Sequence, residues 1–390
     1  MPKASLLPET TTPVSPGASR LNALTGLRFH AALLVFAFHL SLNRFFAGDA
    51  PAVEPLRFLL KNGGWFGVTF FFVLSGFVLT WSARDGDTPS RFIWRRLAKI
   101  LPNHVVTFVI ALGIAGLGAA TVGEAAANFF LLHAWVPADT AFFSINHPSW
   151  SLSAELFFYL AFPFVLPWVR RIPQRNLLPA AALLVVLITT APVLAGLLPE
   201  GAIFGPNHAQ SPLYGASIPQ IWAVYALPPV RFLEFVVGML AARAVTEGLL
   251  PRIGLGAAAV FAAAGYALSL FLPLPWQMDA AYVLPVTVLV IAAAQDPAPP
   301  KALSSPVAVR LGELSFAFYM VHDIILGATR SLIGPGALPA TAAVGVGLAA
   351  FAASLAGAWL LWRAVEVPAN NALRSLNPFT TRRPITTREA

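Results

Sequence analysis

The 390-residue chain has no cysteine, and only 11% of it is charged. Without cysteine there can be no disulfide, no thiolate-bound metal and no cysteine acyl carrier. A soluble domain carries roughly 25% charged residues, so the shortage of charge argues against an ordinary water-soluble fold. Hydrophobic residues make up 57% of the sequence, and the mean hydropathy is +0.72. That much apolar surface needs a bilayer as its solvent. A Gly-rich phosphate loop is also missing, which leaves nucleotide hydrolysis without support. There is no internal repeat of the kind transporters often carry. Residues 1–20 lack the basic stretch and short apolar core of a cleavable signal, and they read as a disordered tail.

What is present is a series of apolar segments. About 20 mostly apolar residues are needed to cross a membrane, and ten segments qualify. They fall near 21–43, 63–83, 100–121, 149–169, 177–198, 221–243, 253–273, 280–295, 311–333 and 340–363. The stretch 122–136 is short and interrupted by Glu124, Asn128 and His133, so it reads as re-entrant or interfacial. Ten spans with both termini cytoplasmic put nineteen Lys and Arg on the inner side and four on the outer, a strong positive-inside bias. The formal charge of +8 is therefore orientation signal and phosphate contact, and no nucleic-acid partner is expected. The fold class is all-α: a polytopic membrane helix bundle over 21–370, followed by a cytoplasmic tail over 371–390. Abundant Ala, Pro and Arg with scarce Lys suggest a high-GC bacterium, hence a multi-pass protein of the bacterial plasma membrane.

Charged residues at bilayer depth cost about 2.5–3.5 kcal/mol each, so those that are retained carry the information. The first span holds Arg28 and His39, the fourth Ser151, Ser153 and Glu155, the sixth Arg231 and Glu234, and the ninth His322 and Asp323. Arg28 and His39 are eleven positions apart, about 16 Å along a helix and close to three turns, so they share a face. A thin ligand with an anionic end fits that geometry, as does an arginine snorkelling to the surface with a histidine bonded to a neighbouring helix. Arg91, Arg95, Arg96 and Lys99 cluster on one side of a helix start, either as a phosphate site or as a contact to anionic lipid. Ser151 and Glu155 are i and i+4 and face the same way. At the expected depth of His39, the carboxylate would orient the imidazole; a helix-capping role is the alternative. Arg231 and Glu234, at i and i+3, read as a self-neutralising pair. His322 and Asp323 are adjacent, so they cannot point in one direction and form no dyad. The outer loop 199–220 offers Asn207, His208, Gln210 and Tyr214 to an acceptor.

Taken together, these segments resemble the acyltransferase-3 family of membrane-bound acyl-CoA O-acyltransferases. Leu24 to His39 matches its Arg-x10-His signature, and Gly64 to Phe77 is similar to its second-span signature. Arg96 to Pro102 resembles the basic motif before a proline, and Trp150 to Glu155 matches the Ser-x3-Glu signature. Arg231 to Met239, Leu311 to His322 and Glu366 to Pro368 are similar to further family segments, in the family's order. Two positions depart from the pattern: Lys99 stands where a second arginine is usual, and Thr69 where many members have aspartate.

The resemblance implies an enzyme with His39 as the catalytic histidine and Arg28 acting on acyl-CoA. The donor, acetyl-CoA above all, would be a co-substrate rather than a bound cofactor, and no metal is expected. Its phosphates would dock on Arg95, Arg96 and Lys99. His39 with Glu155 would activate a hydroxyl of a macrolide-type natural product, a surface polysaccharide or a lipid-linked sugar, supported by Ser151, Ser153, Arg231, Glu234 and His322. This reading expects Arg28 and His39 to share one continuous cavity. A transporter or flippase for a glycosylated or lipid-linked molecule is the alternative.

Overall fold

The computed structural model describes residues 16–43, 45, 53–116, 118, 120–209, 211–334, 336, 338–376 and 378–379. Gln210, most of the N-terminal tail and the chain beyond Phe379 lie outside the described residues. The described residues form helices joined by loops, with an isolated bridge between Ile203 and Ser217. In order, the first helices are α1 (Pro16–Leu42), α2 (Glu54–Leu60), α3 (Gly63–Trp81), α4 (Pro89–Ala115), α5 (Val122–Phe129) and α6 (Asp139–Phe142). Then come α7 (Ser149–Arg171), α8 (Gln174–Ala195), α9 (Ile218–Tyr225), α10 (Pro228–Thr246) and α11 (Leu255–Ser269). The last are α12 (Val283–Gln295), α13 (Lys301–Ser304), α14 (Pro306–Ile333), α15 (Ala340–Leu361) and α16 (Val367–Ser375).

Among the described residues, eight helices are long and apolar enough to cross a membrane, and the chain is a multi-pass membrane bundle. The segments expected at 253–273 and 280–295 hold only α11 and α12, of 15 and 13 residues. At 1.5 Å per residue these reach about 22 and 20 Å, short of a hydrocarbon core of about 30 Å. The apolar runs are longer than the helices because Pro273 and Pro275 break the chain into a 3-10 turn at Leu274–Gln277.

Segment 122–136 does not span. A capping box between Thr121 and Glu124 starts α5, which ends after two turns. Leu131 then takes φ 56°, a left-handed conformation rare for leucine. Its carbonyl accepts from Ser153 Oγ at 2.5 Å. Asn128 Nδ2 donates to Ser144 O at 2.7 Å, and the chain returns to start α7.

Small residues set the closest helix contacts, as membrane packing favours. A Cβ on Gly76 of α3 would lie 1.9 Å from Phe235 O of α10, and one on Gly238 of α10 would lie 2.0 Å from Val73 O of α3. Both neighbours are backbone, so neither can step aside. Gly238→Ala is therefore expected to cost about 1–3 kcal/mol by overpacking, read as a lower melting temperature of the detergent-purified protein. In the same way Gly312 lets α14 approach Thr25 of α1, where an added Cβ would meet the carbonyl oxygen at 1.9 Å.

Candidate active site

The α1–α14 contact brings together two histidines that are 283 positions apart. Phe318 packs its ring against Phe29 and Phe36, and one turn further on His39 Nδ1 lies 2.9 Å from His322 Nε2. The partners of His322 fix the tautomers. His322 Nδ1 is 2.7 Å from Tyr319 O and 3.3 Å from Phe318 O. A carbonyl only accepts, so Nδ1 carries the proton, and in the neutral ring Nε2 carries the lone pair. His39 Nδ1–H then donates to His322, and the remaining nitrogen of His39, Nε2, is left with a free lone pair. His39 is oriented by a histidine and a backbone carbonyl behind it. Glu155, the partner expected from sequence, is elsewhere.

His39 lines a cavity of about 290 Å³ at the end of the bundle away from the basic loops. The ring of His147 stands 5.7 Å from that of His39 and 3.9 Å from that of Phe143. Burial pushes the His147 imidazole down to about 3, with Asp323 pulling the other way, so the ring is neutral at physiological pH. His208, from the loop expected to face the acceptor, bonds Asp139 Oδ2 at 2.9 Å and also lines the cavity. Tyr214 points outward, 58% exposed.

A second cavity, of about 150 Å³, opens toward the basic loops, and its lining includes Arg28, Arg96, Lys99, Glu155 and Tyr159. Three cations stand there against one carboxylate. Arg96 Nε is buried with no hydrogen-bond partner among the described residues, and Tyr159 OH donates to Glu155. Five residues of π-helix, Trp362–Glu366, follow α15. Such a widened turn is a frequent mark of functional sites; here it holds Glu366 2.7 Å from Asn103 Nδ2, within electrostatic range of Lys99 and Arg28. Ser151 and Glu155 share a face as expected, but that face looks into this cavity, beside Arg28.

Arg28 and His39 thus line two cavities rather than one continuous groove. The layer between them contains Tyr319, whose hydroxyl lies 2.8 Å from Ser151 Oγ and donates to Pro148 O at 3.1 Å. Phe71 closes the layer with its ring 6.1 Å from that of Tyr319.

The model of a family described as "Acyltransferase domain" matches residues 21–363. The chain belongs to this acyltransferase family. It is 36% identical over 381 residues to acyltransferase MdmB of Streptomyces mycarofaciens, covering 94% of this chain and 96% of that protein. It is 27% identical over 233 residues to the peptidoglycan O-acetyltransferase OatA of Listeria monocytogenes, covering 53% of this chain and 35% of that one. No solved structure matches. The chain is an acyl-transferring membrane enzyme.

Within this acyltransferase the other residues singled out from sequence fall in three places. Arg95 is bound to Asp87 and does not line the cavity with Arg96 and Lys99. Its i, i+4 neighbour Arg91 donates to Phe379 O at 2.6 Å, so that flank of α4 holds protein, not an open cavity. Ser153 is spent on Leu131 O. Arg231 and Glu234 are in contact at 3.0 Å, but Arg231 also meets Asp279 at 3.1 Å, making a buried triad of one cation and two carboxylates. Sequence reading did not single out Asp279 or Tyr319. Asp279 sits just before a short helix and reads as a loop residue, and Tyr319 lies in an apolar run, where a tyrosine carries no signal.

Proposed function

We propose that the enzyme moves an acyl group, acetyl above all, from cytoplasmic acyl-CoA to a hydroxyl of a glycosylated natural product such as a macrolide, in the bacterial plasma membrane. The observation that carries this is the His322–His39 pair, which leaves a free lone pair on His39 Nε2 at the wall of one cavity. The opposite cavity has the three cations suited to an anionic donor. The cell-wall acceptor named for OatA is the less supported one, since only 35% of that protein is matched while acyltransferase MdmB is matched over nearly its full length.

In this reading the phosphates of the donor sit at Arg96 and Lys99, and Arg28 steadies the arm beside Glu155. The thioester passes the Tyr319–Ser151 layer, whose hydrogen bond must open. His39 Nε2 takes the proton of the acceptor hydroxyl as its oxygen attacks the thioester carbonyl carbon. The carbon–sulfur bond then breaks, the CoA sulfur leaves with the electron pair, and the imidazolium returns its proton to it. Ester and CoA thiol are the products. The buried position of His39 keeps bulk water from competing as the nucleophile.

Purified protein in detergent, given acetyl-CoA and a macrolide with a free hydroxyl, is expected to release CoA thiol and form the acetyl ester, seen by mass spectrometry. Transport of the macrolide into liposomes with no CoA release would replace this reading by the transporter one. Lys99→Ala is expected to raise the donor KM by about tenfold or more with little change in kcat, because a charge-assisted bond to a phosphate helps ground and transition states alike.

A further inference from the structure

The two cavities have opposite polarity, and this bears on what the outer one holds. Its lining includes one carboxylate, Asp323, and no lysine or arginine among the described residues. Asp323 is half-buried and makes no hydrogen bond or ion pair to the described residues, although the neighbouring His322 is fully engaged. Around it the aromatic walls are continuous. Phe38 and Trp65 lie 6.1 Å apart, Trp65 and Tyr225 6.4 Å, and Phe143 and Tyr225 6.1 Å, by ring centroids. The face of an aromatic ring carries negative potential, of the same sign as the carboxylate. His147 faces the same space without a charge, and His208 is committed to Asp139.

We propose that the acceptor is a cation, with a protonated or quaternary amine held by Asp323 against the faces of Trp65, Phe143 and Tyr225. This rests on the acyl-transfer reading only in calling the occupant the acceptor; the amine site itself stands on the cavity. A neutral sugar can give Asp323 hydroxyl hydrogen bonds but leaves its charge without a counter-charge in an aromatic-lined cavity, which is costly. An ammonium supplies that partner, and the aromatic faces accommodate its alkyl groups as well as its charge. The amine is a handle and does not react, so the hydroxyl presented to His39 Nε2 is a different atom of the same molecule. With an anionic donor on the three-cation side and a cationic acceptor on the carboxylate side, each cavity repels the other's ligand. The acceptor class is then an amino-sugar-bearing molecule rather than a neutral glycan.

Choline and its uncharged isostere 3,3-dimethylbutan-1-ol test this directly, because they differ in charge and hardly in shape. Isothermal titration calorimetry of the full chain in detergent, without any acyl-CoA, is expected to give about tenfold tighter binding of choline. Asp323→Asn should bring that preference close to one, and Asp323→Glu should keep it. Equal binding of the two alcohols by the unmodified protein, no binding of either, or a preference that survives Asp323→Asn in a variant that elutes as a single folded peak would each overturn the proposal. The readout needs no turnover, so a failed transfer assay and a failed amine preference are separate results.

Discussion

Replacing His39 by alanine is expected to lower kcat for acyl transfer by about 10²–10⁴-fold, the usual contribution of a positioned general base. The donor KM should stay nearly unchanged, since Arg28, Arg96 and Lys99 line the other cavity. The chemistry has no obvious substitute. His147 faces the same space, but its ring packs against Phe143, and among the described residues no hydrogen bond fixes its tautomer as His322 fixes that of His39. The companion variant His322→Phe keeps much of the ring's bulk against Phe36 and Phe318 and removes the acceptor for His39 Nδ1–H. It should lose activity through kcat as well, but less, because His39 keeps its basic nitrogen and loses only its orientation. Initial rates of CoA release by purified variants measure both. Undiminished transfer by the His39→Ala protein would remove the histidine from the mechanism.

The expected spans were legible because a hydropathy run of 20 residues reads the same whatever the helix packs against. Two of them turned out to hold short helices because hydropathy counts apolar residues and not hydrogen-bonded turns, and Pro273 and Pro275 break the run between them. The sharing of a face by Arg28 and His39 rests on the helical period alone, and both do reach cavities on the inner side of α1. Period also placed Ser151 and Glu155 on one face correctly. What it could not supply was which cavity that face meets. Depth across different helices depends on tilt and on where the loop Leu131–Pro148 returns the chain, and that loop is held by Asn128 and by the left-handed Leu131. The partner of His39 was hidden for a related reason. The α1–α14 pairing depends on Gly312 seating against a backbone carbonyl at Thr25, a contact with no local signature. His322 is visible in the sequence as a polar residue at bilayer depth, but its tautomer and its target are set by the packing of α14 on α1.

Arg231→Met is expected to be the most damaging single change to stability, about 3–5 kcal/mol, read as loss of monodisperse protein in detergent or a steep fall in melting temperature. The side chains of Arg231, Glu234 and Asp279 are all fully buried. One cation serves two carboxyl groups in the interior. The contacts at 3.0 and 3.1 Å are chiefly charge contacts, since by strict geometry both carboxylates and two guanidinium nitrogens have no well-directed partner among the described residues. Attraction to Arg231 is therefore most of what makes the two anions tolerable. Thr69 Oγ1, 3.4 Å from Arg231 Nη2, and the face of Phe72, 5.2 Å from the guanidinium, add little that would outlast the charge. Methionine fills much of the same volume, so the loss measures charge rather than a cavity. Replacing all three together, Arg231→Met with Glu234→Leu and Asp279→Leu, removes the charges as a set, and by the behaviour of other buried ion clusters should recover most of the stability. Recovery in the triple variant would assign the cost to unpaired carboxylates. A triple variant as unstable as the single one would instead assign it to the shape of the α3–α10 contact, which Gly76 and Gly238 hold at backbone distance.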